Sequence, residues 1–177
     1  MDHGSDVEHG TYVEHDGRPA VRFVRSYPHP VERVWAALTD PEELGHWFPS
    51  SVRMEQRAGG RVMFDGDPHA APTTGTVLVF DPPRRLAYTW GGDELHFALE
   101  AAGTDRCTLT MVNVLDERAA AARNAAGWQV CLAELDKHVA GVVTAGPHSD
   151  TAQAWQPLYD AYVAAGMPAG APIPAGS

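Results

Sequence analysis

Hydrophobic residues in this chain change their spacing once, decisively, between the middle and the C-terminal third. From Val52 to Leu115 they fall in short alternating runs: Leu86, Tyr88 and Trp90; Leu95, Phe97 and Leu99; Cys107, Leu109 and Met111. From Trp128 onward, Cys131, Leu132, Leu135, Val139 and Val142 follow a helical spacing. Side chains alternate across a strand but return to one helix face after three or four residues. The chain therefore predicts consecutive strands followed by one long amphipathic helix.

The expected strands are Arg61 to Phe64, Thr74 to Phe80, Arg85 to Trp90, Leu95 to Leu99 and Arg106 to Val114. Gly59-Gly60, Asp65-Gly66-Asp67-Pro68, Asp81-Pro82-Pro83, Gly91-Gly92 and Gly103-Thr104 separate them. Short turn-forming separators imply an antiparallel meander. Asp116 is expected to open the long helix and Gly141 to end it.

Upstream, Asp16-Gly17 is a two-residue hairpin signal, with Val21, Phe23 and Val24 in the returning strand. Pro30 suits the first turn of a helix whose apolar face is Val31, Val34, Trp35 and Leu38. A second short helix is expected at once, capped by Asp40, with Pro41 at its start and Glu43 placed as in a capping box. Leu44, Trp47 and Phe48 are its apolar residues. The layout is α+β: a curved antiparallel sheet around a long C-terminal helix, with two short helices after the first strand. The expected division is a flexible N-terminus over 1–9, one domain over 10–145, and an extension over 146–177 with one short docked helix and a disordered end.

A net charge of −10 at pH 7 without a Lys/Arg cluster argues against nucleic acid or anionic lipid as partner. No apolar run is long enough to insert in a membrane. The first sixteen residues lack the pattern of a secretory signal, so a cytoplasmic location is expected, with Cys107 and Cys131 as buried free thiols.

Five stretches, in order over about residues 18 to 141, resemble one family. They are Pro30 to Leu44 with His46-Trp47-Phe48-Pro49; Gly59 to Phe64; Gly75-Thr76-Val77 through Pro82-Pro83 to Trp90; Thr104 to Thr110; and the Gly127-Trp128…Leu132…Leu135 helix. Together they resemble the SRPBCC superfamily, in the branch named after the activator of the heat-shock-protein-90 ATPase. The resemblance implies the helix-grip fold and a cavity between sheet and C-terminal helix. It also implies a range of activities: carriage of hydrophobic ligands, cyclase action on polyketides, and partner binding.

The expected ligand-binding residues are Trp47, Phe48, Phe64, Tyr88, Trp90, Phe97, Met111, Asn113, Trp128 and Leu132, with Trp90 and Trp128 foremost for their contact area. No cofactor is expected. The His-containing N-terminal stretch (His3, His9, His15), the Asp65, Asp67 and His69 loop, and Asp93-Glu94 with His96 lack a ligand set of metal-binding spacing. The leading expectation is a carrier or sensor of a small hydrophobic molecule, with a homodimer left open. A cyclase- or dehydratase-like enzyme would have to draw its acid–base groups from His46, Tyr88 and Asn113. A protein-interaction or co-chaperone-like module would use a sheet edge or Trp155, Tyr159 and Tyr162 as anchors.

Overall fold

A computed structural model describes residues 9–68 and 70–173. Most of the expected flexible N-terminus, including His3, lies outside the described residues, as do His69 and the final four residues of the expected disordered end.

Among the described residues, eight strands form one antiparallel sheet: β1 (Thr11–His15), β2 (Arg18–Tyr27), β3 (Ser51–Met54), β4 (Arg61–Asp65), β5 (Thr73–Asp81), β6 (Arg85–Trp90), β7 (Asp93–Ala101) and β8 (Cys107–Val114). Their spatial order is β1-β2-β8-β7-β6-β5-β4-β3. The first hairpin turns at Asp16 and Gly17, both at positive φ, and sets His15 opposite Arg18. After β2 come α1 (Val31–Thr39) and α2 (Pro41–Leu44); α3 (Ala121–Val139) and α4 (Trp155–Ala164) follow β8.

β3 was not among the expected strands. It has four residues, and only Val52 among them is fully buried, so it shows almost no alternation; pairing of Val52 with Phe64 on β4 holds it at the sheet edge.

The reciprocal capping box at α2 does not form. Asp40 does cap the helix, accepting the Glu42 amide at 2.9 Å. Its own N–H is already taken by the Ala36 carbonyl that ends α1, so Glu43 turns instead to Arg33 and His138.

The long helix is also shorter than expected. The Asp116 amide donates to Asp93 Oδ1 at 2.8 Å and the Leu115 amide to the Pro19 carbonyl, which keeps the chain extended past β8. A 3₁₀ turn over Arg118–Ala120 precedes α3. At the other end the Gly141 amide reaches the His138 carbonyl and the Val142 amide the Lys137 carbonyl, with Gly141 at φ +79°. This Schellman stop leaves Val142 outside the helix and half exposed rather than in the apolar stripe.

The concave face of the sheet and one side of α3 make the core. Val21, Phe23, Leu86, Leu95, Phe97, Leu109 and Met111 meet Ala125, Trp128, Leu132 and Leu135 with almost no exposure. Arg25 also points inward from β2 and binds Asp136 on α3 at 2.9 Å, a charged rivet between the layers. The extension docks on its own body. The Tyr162 hydroxyl donates to Gln129 on α3 and accepts the Gly10 amide at 2.7 Å, and the Ala122 amide reaches the Pro168 carbonyl.

Candidate functional site

Trp90, the last residue of β6, and Trp128 on α3 meet at the end of the filled sheet–helix interface. Their ring centroids stand 5.2 Å apart at 56°. Phe48 wedges behind them, 5.4 Å from Trp128 and 6.3 Å from Trp90, and is itself backed by Phe64. Residues after α2 carry Phe48 there because its amide bonds the Leu44 carbonyl, extending the short helix by a turn.

In front of the two indoles lies a cleft of about 760 Å³. Gly127, Trp128, Val130 and Cys131 of α3 form one wall. The segment 147–156 crosses the opening as a strap and forms the other, bringing a third indole, Trp155, over Gly127. The strap is held at several points. Thr144 donates to the fully buried carboxylate of Glu134, Lys137 reaches Glu134 at 2.8 Å and the Thr151 carbonyl at 3.5 Å, and His148 Nε2 lies 2.8 Å from the Pro49 carbonyl. His148 also stands 3.9 Å from Asp67.

A smaller recess of about 280 Å³ shares Asp67, Trp90, Arg123 and Asn124 with the cleft and runs on past Ser50, Phe64 and Asp93. The two lobes adjoin at Trp90.

A polar network closes the floor between the lobes. Asn113 Oδ1 accepts the Trp128 indole N–H at 3.1 Å and the Asn124 amide at 3.0 Å. Asn113 Nδ2 donates to Asp93 Oδ2 at 3.0 Å, and Asp93 Oδ1 holds the Asp116 amide. Gly92 lies close beside it: a Cβ there would fall 2.5 Å from the Asp116 carboxylate, which would have to swing outward.

Of the residues expected to bind ligand, Trp90 and Trp128 line the cleft, and Phe64 with Trp90 lines the recess. Phe48 stands directly behind. Trp47 is fully buried and donates its indole N–H to the Ala37 carbonyl at 2.8 Å. Tyr88, Phe97, Met111 and Leu132 lie deeper in the same apolar layer. The Tyr88 ring sits 5.9 Å from both Phe64 and Phe97, its hydroxyl has no hydrogen-bond partner, and burial pushes its phenol well above the usual range. Asn113 is fully committed to the network, and its side chain orients Trp128 from below.

His46 and His96 lie apart from the cleft. His46 stacks flat on His138, 4.6 Å between rings, while His138 binds Glu43. His96 bonds Glu94 at 2.8 Å and tilts against His15. Among the described residues no group of three or more His, Cys, Asp or Glu side chains could hold a metal ion. Both cysteines are buried free thiols; burial raises the Cys131 thiol, so in the cleft wall it is a neutral apolar group.

Sequence reasoning missed Ser50, Arg123, Asn124 and the strap residues Pro147 to Gln156 apart from Trp155, which it named only as a partner-binding anchor. One signal was available: a polar, Gly-Pro-initiated segment joins two apolar helical stripes, and a linker between packed helices must cross the surface between them.

A curved antiparallel sheet gripping a long C-terminal helix, with two short helices after the first hairpin, is the helix-grip fold of the SRPBCC superfamily. Within it, the family profile described as Activator of Hsp90 ATPase homolog 1-like protein matches residues 28–140, and the chain belongs to that family. A conserved protein of unknown function from Enterococcus faecalis superposes with a TM-score of 0.73 at 18% identity, covering 91% of this chain and 92% of that one. A Bordetella parapertussis protein is 28% identical over 93% of each chain, with a TM-score of 0.62. DynU16, a protein in the dynemicin biosynthetic locus, is 26% identical over 68% of this chain and 47% of its own, with a TM-score of 0.59. No curated protein matches the chain. No helix among the described residues is long and apolar enough to cross a membrane.

Proposed function

We propose that this protein binds a small hydrophobic molecule in the cleft between α3 and the 147–156 segment, beside Trp90 at the end of the sheet, as a cytoplasmic carrier or sensor. The observation that carries this reading is a cleft of about 760 Å³ in which Trp90, Trp128 and Trp155 converge. Such a volume lies within the range of small-molecule sites, and indoles offer large apolar area at low cost in side-chain entropy. Phe48 and Phe64 back the indoles. Trp47, Tyr88, Phe97, Met111 and Leu132 would meet a ligand that parts the two layers further. The likeness to a protein in a biosynthetic locus supports a small-molecule role.

A second reading, a cyclase- or dehydratase-like enzyme acting on the same ligand, is favoured by His148 and Asp67. They place an imidazole and a carboxylate 3.9 Å apart in the cleft lining, and proton transfer there would first release the contact of the same Nε2 with the Pro49 carbonyl. A partner-binding role for Tyr162 finds less support, because its hydroxyl is spent on Gln129 and Gly10.

Native mass spectrometry of freshly purified full-length protein, followed by solvent extraction, tests the reading. A defined extra mass of a few hundred daltons, lost in Trp128→Phe or Trp90→Ala, supports it. Apo protein that also fails to bind any of a panel of aromatic probes overturns it. Turnover of the released compound that falls in His148→Gln while affinity is retained would select the enzyme.

A further inference from the structure

We infer that a second small-molecule site lies between β1, α3 and α4, and that it takes a small carboxylic acid with an apolar tail. The cavity there has a volume of about 380 Å³ and shares no lining residue with the indole-lined cleft. Its size falls within the range of small-molecule sites.

The apolar wall comes from α4 and the turn that ends it. Leu158, Ala161, Tyr162 and Ala165 recur at helical spacing and present one side of α4 to the cavity. Gly166, at φ +93°, then reverses the chain: the Met167 amide reaches the Tyr162 carbonyl at 3.1 Å, and the Pro168 carbonyl takes the Ala122 amide at the start of α3. Met167 and Pro168 are thereby folded back into the lining. Alanine at 161 and 165 leaves space that a longer side chain would occupy.

The polar group set into this wall is Gln129, 4% exposed. Its orientation is fixed by a relay. The Gly10 amide donates to the Tyr162 hydroxyl at 2.7 Å, and the hydroxyl passes its one proton to Gln129 Oε1. Burial raises the Tyr162 phenol, which keeps that proton in place. With Oε1 so engaged, Gln129 Nε2 faces outward from the relay with two N–H groups, has no hydrogen-bond partner, and is not among the side-chain atoms sealed from solvent. Such a nitrogen only donates, so the group that completes it is a ligand oxygen.

Arg118 makes the favoured oxygen an anionic one. Its Nε donates to the Tyr12 hydroxyl at 3.1 Å, and its guanidinium carbon stands 5.6 Å from the Tyr12 ring centre. Both contacts hold the cation at the cavity without neutralising it, and Arg118 makes no ion pair among the described residues. A carboxylate can accept from Gln129 within the field of that guanidinium. An ammonium would set donor against donor and charge against like charge.

Nuclear magnetic resonance of the isotope-labelled full chain, titrated with octanoate, octanol and octylamine at neutral pH, tests this. Octanoate should move the Gln129 side-chain amide and the Gly10 backbone amide while the Trp128 indole N–H stays in place. It should bind about tenfold or more tighter than octylamine, as a charge-assisted hydrogen bond requires. Gln129→Glu keeps an acceptor for Tyr162 but puts an oxygen where the donor was, and should weaken octanoate about tenfold relative to octanol. Arg118→Gln should weaken octanoate severalfold and flatten its salt dependence. Ala161→Leu, at an exposed position of α4, fills the cavity and should abolish octanoate binding with the melting temperature unchanged, a result that does not depend on how well the Gln129 variant folds. The inference is overturned if octanoate leaves the Gln129 amide unmoved, if octylamine binds as tightly, or if Ala161→Leu binds octanoate as the wild type does. None of these results bears on the cleft, whose lining is separate.

Discussion

The Trp128 indole N–H lies 3.1 Å from Asn113 Oδ1, a hydrogen bond that crosses from α3 to β8 directly beneath the cleft. It fixes the ring that the cleft presents. It also ties the helix to the sheet beside the cleft. Asn113→Leu would leave the indole N–H, the Asn124 amide and Asp93 without a shared partner. The expected loss is on the order of 3 kcal/mol of stability, by the cost of orphaning buried polar groups. Chemical denaturation measures it, and Trp128 fluorescence should broaden as the ring loses its single orientation.

Trp90 and Trp128 separate binding from folding. Trp128 is 2% exposed and Trp90 only half-buried. Trp128→Ala should cost about 3–5 kcal/mol, as large-to-small core changes do. Trp90→Ala should cost much less stability yet weaken aromatic probes clearly. Equal destabilisation by the two variants in urea unfolding would contradict this division.

Arg25 has a side chain only 6% exposed, and Asp136 is its partner on α3. Asp136→Ala leaves a buried guanidinium without that carboxylate, which costs about 3–5 kcal/mol for a fully buried pair. Asp136 itself is 39% exposed, so water offsets part of it and about 2 kcal/mol is expected. Arg25→Met with Asp136→Ala should recover most of the loss, and a thermal melt of the three proteins checks the order.

Two phenols steepen the alkaline limit. Burial first, and then the Asp136 carboxylate, holds the Tyr27 phenol well above its usual range, and burial does the same for Tyr88. Both folded-state values exceed the unfolded one, so the neutral form belongs to the fold. Their contribution is complete below the unfolded value of about 10 and is lost as pH rises toward the folded ones, by about 1.4 kcal/mol per pH unit for each phenol. The buried Cys131 thiol, also raised, starts the loss near its unfolded value of about 8.5, and stability should fall more steeply above about pH 10, less so in Tyr88→Phe. Ultraviolet titration should show both phenols ionising only as the protein unfolds.

The strap offers a dynamic test. Its His148 bonds the Pro49 carbonyl across the mouth of the cleft. His148→Ala should raise amide exchange over 147–156 with little change in the melting temperature, because the strap contributes few buried apolar contacts to the core. A protein as protected there as the wild type would show that the remaining tethers suffice.

Local pattern was enough for the elements that declare themselves by period. The alternation of Leu95, Phe97 and Leu99 and the helical stripe from Trp128 to Val139 state which face is buried before any partner is known. Asp16-Gly17 marks a turn for the same local reason. β3 escaped because four edge residues carry too little alternation to register. The limits of α3 escaped because hydrogen bonds donated by Leu115 and Asp116 to distant Pro19 and Asp93 hold its approach extended. Glu43 could not complete a capping box, since the end of α1 had already claimed the Asp40 amide.

The candidate site was legible in part. Trp90 and Trp128 could be singled out as large aromatics on the gripping faces, but a cleft and a filled core share one composition. Their difference is a matter of how closely two layers approach, which depends on Phe48, Asn113 and the strap acting together across long stretches of chain. The sequence by itself determined the α+β layout, the inward faces and the aromatic character of the interior, because each follows from neighbours a few residues apart. Only the tertiary structure decided that residues 147–156 cross the cleft, that Ser50 and Asp67 border a polar recess, and that Asn113 serves Trp128. Those relationships join residues far apart in the chain, and they exist only once the sheet has curved around α3.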